Sequence, residues 1–575
     1  MKVKREAVLP IVLGFAFFVT NTFAGDSTPW VEGFLGILTI LLLLFSRQNL
    51  GFGQDWFSPW RWFLILIVFF SLTVPFAGDK YQALRTWIYW FISAVFFLSA
   101  WSIDRQYRKK MLLIMVWIAG AGSLWAIVNF ISVPGLDRAG GFFKNANALG
   151  GYCVLTLPLA IALIFETKRL TRISILISSV SIAISLILSF SVTGFVALVG
   201  VLIFVLVIWR KNIKRKWFLL TGGVIIGLIV VGVGIRFFQT HSFKTAVRLD
   251  KIISQTHFKS SFTQRWQFNA VAFAMFKKHP IVGIGLGNYQ QAFSQYANSR
   301  LEQPRYVHNA YLEIFTETGI LGGLAFLIII ISLATATVRT YQKSEIDKIL
   351  IFGAGMGLLA SALNAFVDFG WHFPGIWVGF WIISGLVLLP VQNKATPLKS
   401  GLIASLFIIL GGLVLIRGLG VVASYTYFAR AERLVEQGED QQAIPNFQKG
   451  LKYDPDPVRM TNLATSLWLR HNSQADALIR AEEQVNQALK WSKINYTTYL
   501  VQARIALANK DYAKTRISYE KMLEIDRHFH PDATAEFVNF LRFQKDFTKA
   551  DAIVKEAEKA YKDILKPGES LFKRL

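Results

Sequence analysis

The chain is predicted to be all-α: a polytopic bundle of about 12–13 membrane-crossing helices, followed by a stack of soluble helical hairpins. Three observations carry this. The 575 residues are 53% hydrophobic and only 17% charged, which leaves too little polar surface for a water-soluble chain of this size. Apolar runs of roughly 17–22 residues, each long enough to cross a bilayer, recur through the first three quarters of the sequence. From about Tyr425 the composition turns to charged, helix-forming sequence. A soluble globular enzyme is excluded.

The spans are expected near 8–24, 31–45, 62–77, 86–101, 111–131, 146–165, 173–190, 195–209, 217–235, 319–338, 349–367, 375–391 and 400–422. The basic start (Lys2, Lys4, Arg5) before an apolar run to Phe23 has the outline of a signal peptide, but the many later spans mark it as a first transmembrane helix. The domains are then 1–424, a polytopic membrane domain, and 425–575, a helical repeat domain. The two are expected to communicate through a single linker.

The net charge is +25, from 61 basic and 36 acidic residues, and its placement matters more than its size. With a cytoplasmic N-terminus, the cytoplasmic loops hold 22 basic residues in clusters such as 105–110 and 210–216; the opposite short loops hold Lys80, Arg85, Arg138 and Lys144. By the positive-inside rule this orients a multi-pass bundle with its N-terminus in the cytoplasm. The large loop 236–318, the loop from Asp368 to His372 and the repeat domain become extracytoplasmic. All eight histidines fall on that side. No nucleic acid is expected as partner. The lone Cys153 permits neither an internal disulfide nor a thiolate metal site.

In the tail, Ala431, Gly438, Ala443, Phe447, Leu451 and Pro455 are spaced like a tetratricopeptide unit. A second copy reads Ala503, Leu507, Asp511, Tyr512, Ala513, Tyr519, Leu523 and Pro531; a third reads Phe540, Asp546, Phe547, Ala550 and Ala557. Such an α-solenoid offers a concave surface to a protein partner and leaves the chemistry to the membrane domain.

Three motifs face the extracytoplasmic side. In Arg138-Ala-Gly-Gly-Phe-Phe-Lys-Asn-Ala-Asn-Ala-Leu-Gly-Gly-Tyr152, Asn145 and Asn147 suit a helix start whose free N–H groups favour anions, and Arg138 and Lys144 add positive charge. Caps and a tight turn are the plain alternative. Arg265-Trp266 is followed by His279-Pro-Ile-Val-Gly-Ile-Gly-Leu-Gly-Asn-Tyr289, whose glycines lack the preceding strand of a dinucleotide site. They suit a turn where backbone approaches a substrate. His308-Asn-Ala-Tyr-Leu-Glu-Ile-Phe-Thr-Glu317-Thr-Gly places His308, Glu313 and Glu317 at the membrane edge, where ionisable groups are costly and usually functional. No spacing implies a metal or other cofactor.

Together the motifs resemble the O-antigen ligase and polymerase superfamily, with its Arg-x-x-Gly-x-Phe-x-Asn-x-Asn, its Arg…Pro-x-x-Gly-x-Gly and its His-Asn-x-Tyr-Leu…Glu-x-Gly. The resemblance covers roughly residues 10–390. One departure stands out: members often carry Ser-Arg-Thr-Gly where this chain has Ser191-Val-Thr-Gly194, so Val192 replaces an arginine assigned to lipid diphosphate.

The resemblance implies metal-independent glycan transfer at the extracytoplasmic face of the cytoplasmic (inner) membrane, in cell-surface polysaccharide assembly. The donor is polyprenyl-diphosphate-linked, specifically undecaprenyl diphosphate, and the acceptor is a hydroxyl on glycan, lipid or protein, as in lipopolysaccharide. His308, Arg265 and Glu317 would be catalytic. Arg138, Lys144, Arg265, Asn145 and Asn147 would bind the donor diphosphate. Asn309, Glu313, Asp368 and His372 would hold or orient the acceptor. His308 would take the acceptor proton with Glu313 or Glu317 as its orienting partner. Protein O-oligosaccharyl transfer, transport and a non-catalytic scaffold remain as alternatives.

Overall fold

The computed structural model describes residues 5–22, 29–46, 59–133, 136–209, 257–297, 303–344, 347–388, 397–470, 476–526 and 530–560. Among these are 21 α-helices and no strand. In chain order α1–α8 are Arg5–Thr22, Pro29–Ser46, Pro59–Thr73, Lys80–Trp101, Arg105–Ser132, Ala146–Glu166, Arg169–Ser189 and Val192–Trp209. Helices α9–α14 are His257–Lys278, Tyr289–Tyr296, Ala310–Lys343, Lys348–Asn364, Pro374–Val387 and Pro397–Glu436. The remaining seven, α15–α21, are Asp440–Tyr453, Pro457–Leu469, Ala477–Trp491, Tyr496–Ala508, Tyr512–Asp526, Pro531–Phe543 and Phe547–Ala560.

Seven of the described helices are long and apolar enough to cross a membrane, and five shorter ones are apolar as well. They match every expected span except 217–235, which lies outside the described residues. The bundle is centred on aromatic side chains: Trp381 of α13 packs against Phe63 (ring centroids 4.6 Å apart), Phe97 and Trp90 of its neighbours. At the opposite end from the tail, buried Arg108 donates to the backbone carbonyls of Trp101 (2.6 Å), Ile103 (2.8 Å), Leu386 (3.1 Å) and Leu388. These are helix-end carbonyls that would otherwise lack partners, so Arg108 ties α4, α5 and the end of α13 together.

Helix α11 is two helices joined at Gly319, whose φ of 69° only glycine adopts without strain. The loop 280–287 wraps this break. Ile320 N donates to Pro280 O (2.8 Å), Gly285 N to Glu317 O (2.9 Å) and Ile284 N to Thr316 O (3.1 Å). Gly283, also at positive φ, lies so close that a Cβ would stand 2.3 Å from the Glu317 carbonyl. The glycines of His279–Tyr289 thus allow close packing, Gly283 on the Glu317 backbone, Gly285 on Ala77 and Gly287 on Thr86.

The tail forms helical hairpins in sequence: the end of α14 with α15, then α16 with α17, α18 with α19, and α20 with α21. The small and aromatic positions of the repeat pattern are its core, including Ala431, Ala443, Phe447, Ala503, Tyr519, Ala550 and Ala557. Gly438, Lys510 and Lys545, each at positive φ, close three of the hairpin turns one residue before an acidic side chain.

The expected single linker is absent. Helix α14 runs unbroken from the bundle into the first hairpin. The tail also sits on the loops of the bundle. Tyr81 Oη donates to both carboxylate oxygens of Asp454 (2.9 Å each), and Arg417 Nη1 pairs with the same carboxylate at 2.9 Å. Lys493 N donates to Gly78 O (2.7 Å), Ser294 Oγ donates to Ile525 O (2.6 Å), and Asp79 bridges to Ser492. Polar groups buried this far from water need such partners, which is why the docking is specific.

Candidate functional site

The connectors on the tail side of the bundle converge on Asp368, in the turn between α12 and α13. Its side chain is almost wholly buried. Oδ1 accepts from the Phe369 N–H (2.8 Å), and Oδ2 accepts from Thr193 Oγ1 (2.7 Å). Two nitrogen groups face it: Arg265 Nη2 lies 3.9 Å from Oδ2, and His308 Nδ1 lies 3.8 Å from Oδ1. Burial pushes the Asp368 carboxyl up, but His308, Arg265 and the Thr193 hydroxyl outweigh it and hold it below the usual aspartate value.

Arg265 is brought in by α9, where Nη1 donates to Val367 O (2.9 Å). One of its five donors is thereby fixed, and the planar group is held at the rim with its side chain 22% exposed. His308 is set by the start of α11. Asn309 caps that helix, accepting from Leu312 N (3.1 Å), and Glu313 Oε2 accepts from Val307 N (3.0 Å). Between these anchors His308 takes a φ of 61°, a conformation that costs a non-glycine residue energy. The imidazole lies between Phe268, stacked at 6.0 Å, and Phe369, edge-on at 4.4 Å. Its Nδ1 is buried with no hydrogen-bond partner among the described residues. The 3.8 Å gap to Asp368 is too long for a hydrogen bond and short enough to become one with a small movement.

The carboxylate facing His308 is therefore Asp368, not Glu313 or Glu317. Glu313 Oε1 pairs with His372 Nε2 at 2.8 Å, and Tyr306 stacks on that imidazole at 3.7 Å. Glu317 turns away into the glycine loop, accepting from Gly287 N (2.7 Å) and Tyr289 N (3.1 Å). There it caps the start of α10.

The first motif lies alongside. Arg138 Nε donates to Ser189 O (2.8 Å), and Nη2 donates to Phe190 O (3.2 Å) and Asn147 Oδ1 (2.5 Å), so the guanidinium covers the last carbonyls of α7. Asn145 caps α6, accepting from Ala148 N (3.0 Å), and Lys144 is exposed. Contacts then run from α7 to the centre: Ser191 Oγ lies 3.1 Å from Thr193 Oγ1, and Thr193 holds Asp368. Val192, at the position of the missing arginine, is exposed on α8. The site thus joins Arg265, His308 and Asp368. Glu313 and His372 form a second pair beside it, and Glu317 and Asn145 serve as caps.

Sequence reasoning missed Thr193, Phe268 and Phe369. Thr193 lies in the Ser191–Gly194 motif, whose departure from the family pattern is at Val192, one residue before it.

Residues 177–327 match the family model for O-antigen ligase. The matched stretch reaches from the middle of α7 through α8, Arg265, the glycine loop, His308 and the Gly319 break. It supports a place in the ligase and polymerase superfamily for a multi-pass membrane protein of glycosyltransferase type, active in cell-surface polysaccharide assembly. Asp368 and the first motif lie outside the O-antigen ligase match and join it through Thr193 and Ser189. No curated protein matches the chain.

Proposed function

We propose that this protein transfers a glycan from a polyprenyl-diphosphate donor to an acceptor hydroxyl at the extracytoplasmic face of the inner membrane, as a ligase or polymerase. The observation that carries the reading is the meeting of Arg265, His308 and Thr193 on one buried carboxylate, Asp368. In the transition state the leaving diphosphate gathers negative charge, and Arg265 at the rim supplies a fixed counter-charge. The acceptor hydroxyl must lose a proton. His308 takes it, and Asp368 steadies the imidazolium that results. Asp368 replaces Glu313 and Glu317 in that role, and Glu317 serves to hold the glycine loop. Exposed Lys144, with Arg138 and Asn147 behind it, adds positive charge on the donor side.

The test is transfer from purified lipid-linked glycan in vitro, with donor binding measured separately. His308→Gln keeps a polar side chain but no base, so the rate should drop about 100- to 10,000-fold while the donor still binds. EDTA should leave the wild-type rate unchanged. Full activity in His308→Gln at normal expression would overturn the assignment.

Protein O-oligosaccharyl transfer is the second reading, favoured by the seating of the hairpin tail on α10 and the 77–81 loop, where a polypeptide acceptor could be held. Acceptor profiling of the same reaction separates the two.

A further inference from the structure

The helix that carries Arg265 has one face that nothing among the described residues covers. Beyond Gln264, the exposed positions of α9 are Trp266, Ala270, Phe273, Ala274, Lys277 and Lys278. The first four recur at three- and four-residue steps and form one apolar stripe along the helix. Trp266 is 69% exposed and Phe273 is 48% exposed, about 10 Å apart along the axis. The opposite face, with Phe268, Val271, Ala272 and Met275, is buried against α10 and the start of α11.

Both ends of this stripe run into the exposed apolar surface of the bundle. After the helix, exposed Ile281 and Val282 lie against the Gly319 break, where exposed Ile320, Leu321 and Leu324 begin the apolar half of α11. At the other end Arg265 bonds the carbonyl of Val367, itself exposed beside exposed Phe366 at the end of α12. Lysines close the stripe: Lys277 Nζ lies 4.7 Å from the Phe273 ring centroid, and Lys278 Nζ lies 5.3 Å from that of Tyr296. Aromatic residues flanked by lysines that can snorkel are what the boundary between hydrocarbon and headgroups selects.

We infer that α9 lies along the membrane surface with the Trp266–Phe273 stripe sunk into the leaflet on the tail side, as an interfacial helix bridging the lipid-facing surfaces of α11 and α12. The occupant is the bilayer because the stripe continues its contact surface at both ends; an apolar face of this extent left in water would be a liability. Arg265 is thereby held at the depth of the lipid headgroups.

The experiment uses the full chain in nanodiscs, with Cys153→Ala removing the one buried native thiol. A fluorophore is attached at W266C or F273C, with L324C as the lipid-facing control and Y512C, exposed in the tail, as the aqueous one. Doxyl groups near the headgroup should quench positions 266 and 273 several-fold more than 512, and iodide should show the reverse order. Positions 266 and 273 behaving like 512 would overturn the inference. So would protection from both quenchers, which would mean a protein covers the stripe. If W266C fails to assemble, F273C decides by the same comparison.

Discussion

Replacing Asp368 by asparagine isolates the charge at the centre of the site from its shape. The amide can still accept from Phe369 N and meet the Thr193 hydroxyl, which rotates to suit, so the turn before α13 keeps its hydrogen bonds. What disappears is the attraction between the carboxylate and an imidazolium forming on His308 at 3.8 Å. At an effective dielectric of about 20 that attraction is about 4 kcal/mol, or about 1000-fold in rate. The asparagine dipole returns part of it, so a loss of about 100- to 1000-fold is expected. Donor affinity should hold or rise, because Arg265 loses its only anionic neighbour among the described residues and is freer to meet the diphosphate. The assay is single-turnover transfer at saturating donor, with donor binding titrated in parallel. A variant within about threefold of wild type would refute the pairing of Asp368 with the base. Donor affinity falling as far as rate would show that Asp368 acts by placing Arg265.

Arg265→Ala should lower donor affinity and rate together, and Arg265→Lys should restore only part, since lysine brings charge without the planar fork; full recovery in the lysine variant would argue against bidentate contact. Asp454→Asn removes the negative charge that Arg417 and the Tyr81 hydroxyl share at the seat of the tail, at a cost of about 1–3 kcal/mol, and should loosen the tail. Faster limited proteolysis of the tail with the bundle intact would register this, and an unchanged cleavage rate would count against the docking. Folding favours the ionised form of Asp368, so its contribution is whole above the ordinary aspartate value of about 4 and is lost as pH falls through the lower folded value. The difference in melting temperature between wild type and Asp368→Asn should shrink as pH falls below about 4. A difference that widens on acidification would contradict the sign.

The bundle was legible because apolar run length is a local signal, and each described span follows from its own residues. The end of α14 was not: hydropathy stops near residue 422, whereas helix formation needs only continued propensity, which Tyr425–Glu436 supplies. His308 and Arg265 were legible as residue types at a membrane edge. The partner of His308 was not, since Asp368 is 60 residues further along and Glu313 and Glu317 were nearer in the chain. The destination of the glycines was not legible either, because Gly283 packs on the backbone at the Gly319 break while Gly285 and Gly287 pack on Ala77 and Thr86, all distant in the chain. Tail docking was not legible: Tyr81 and Asp454 are 373 residues apart, and Asp454, although inside the first repeat, is not one of the positions that define it.

That separation bears on how the chain is made. The loop at 77–81 is synthesised and inserted long before Asp454, Ser492 and Ile525 exist, so its hydroxyl and backbone groups must wait in water for partners that arrive last. Closure of so long a loop is slow and entropically unfavourable until α14 has been inserted and delivers the first hairpin to the correct height. The tail therefore settles onto a seat that is inserted 373 residues before its partner Asp454 is made.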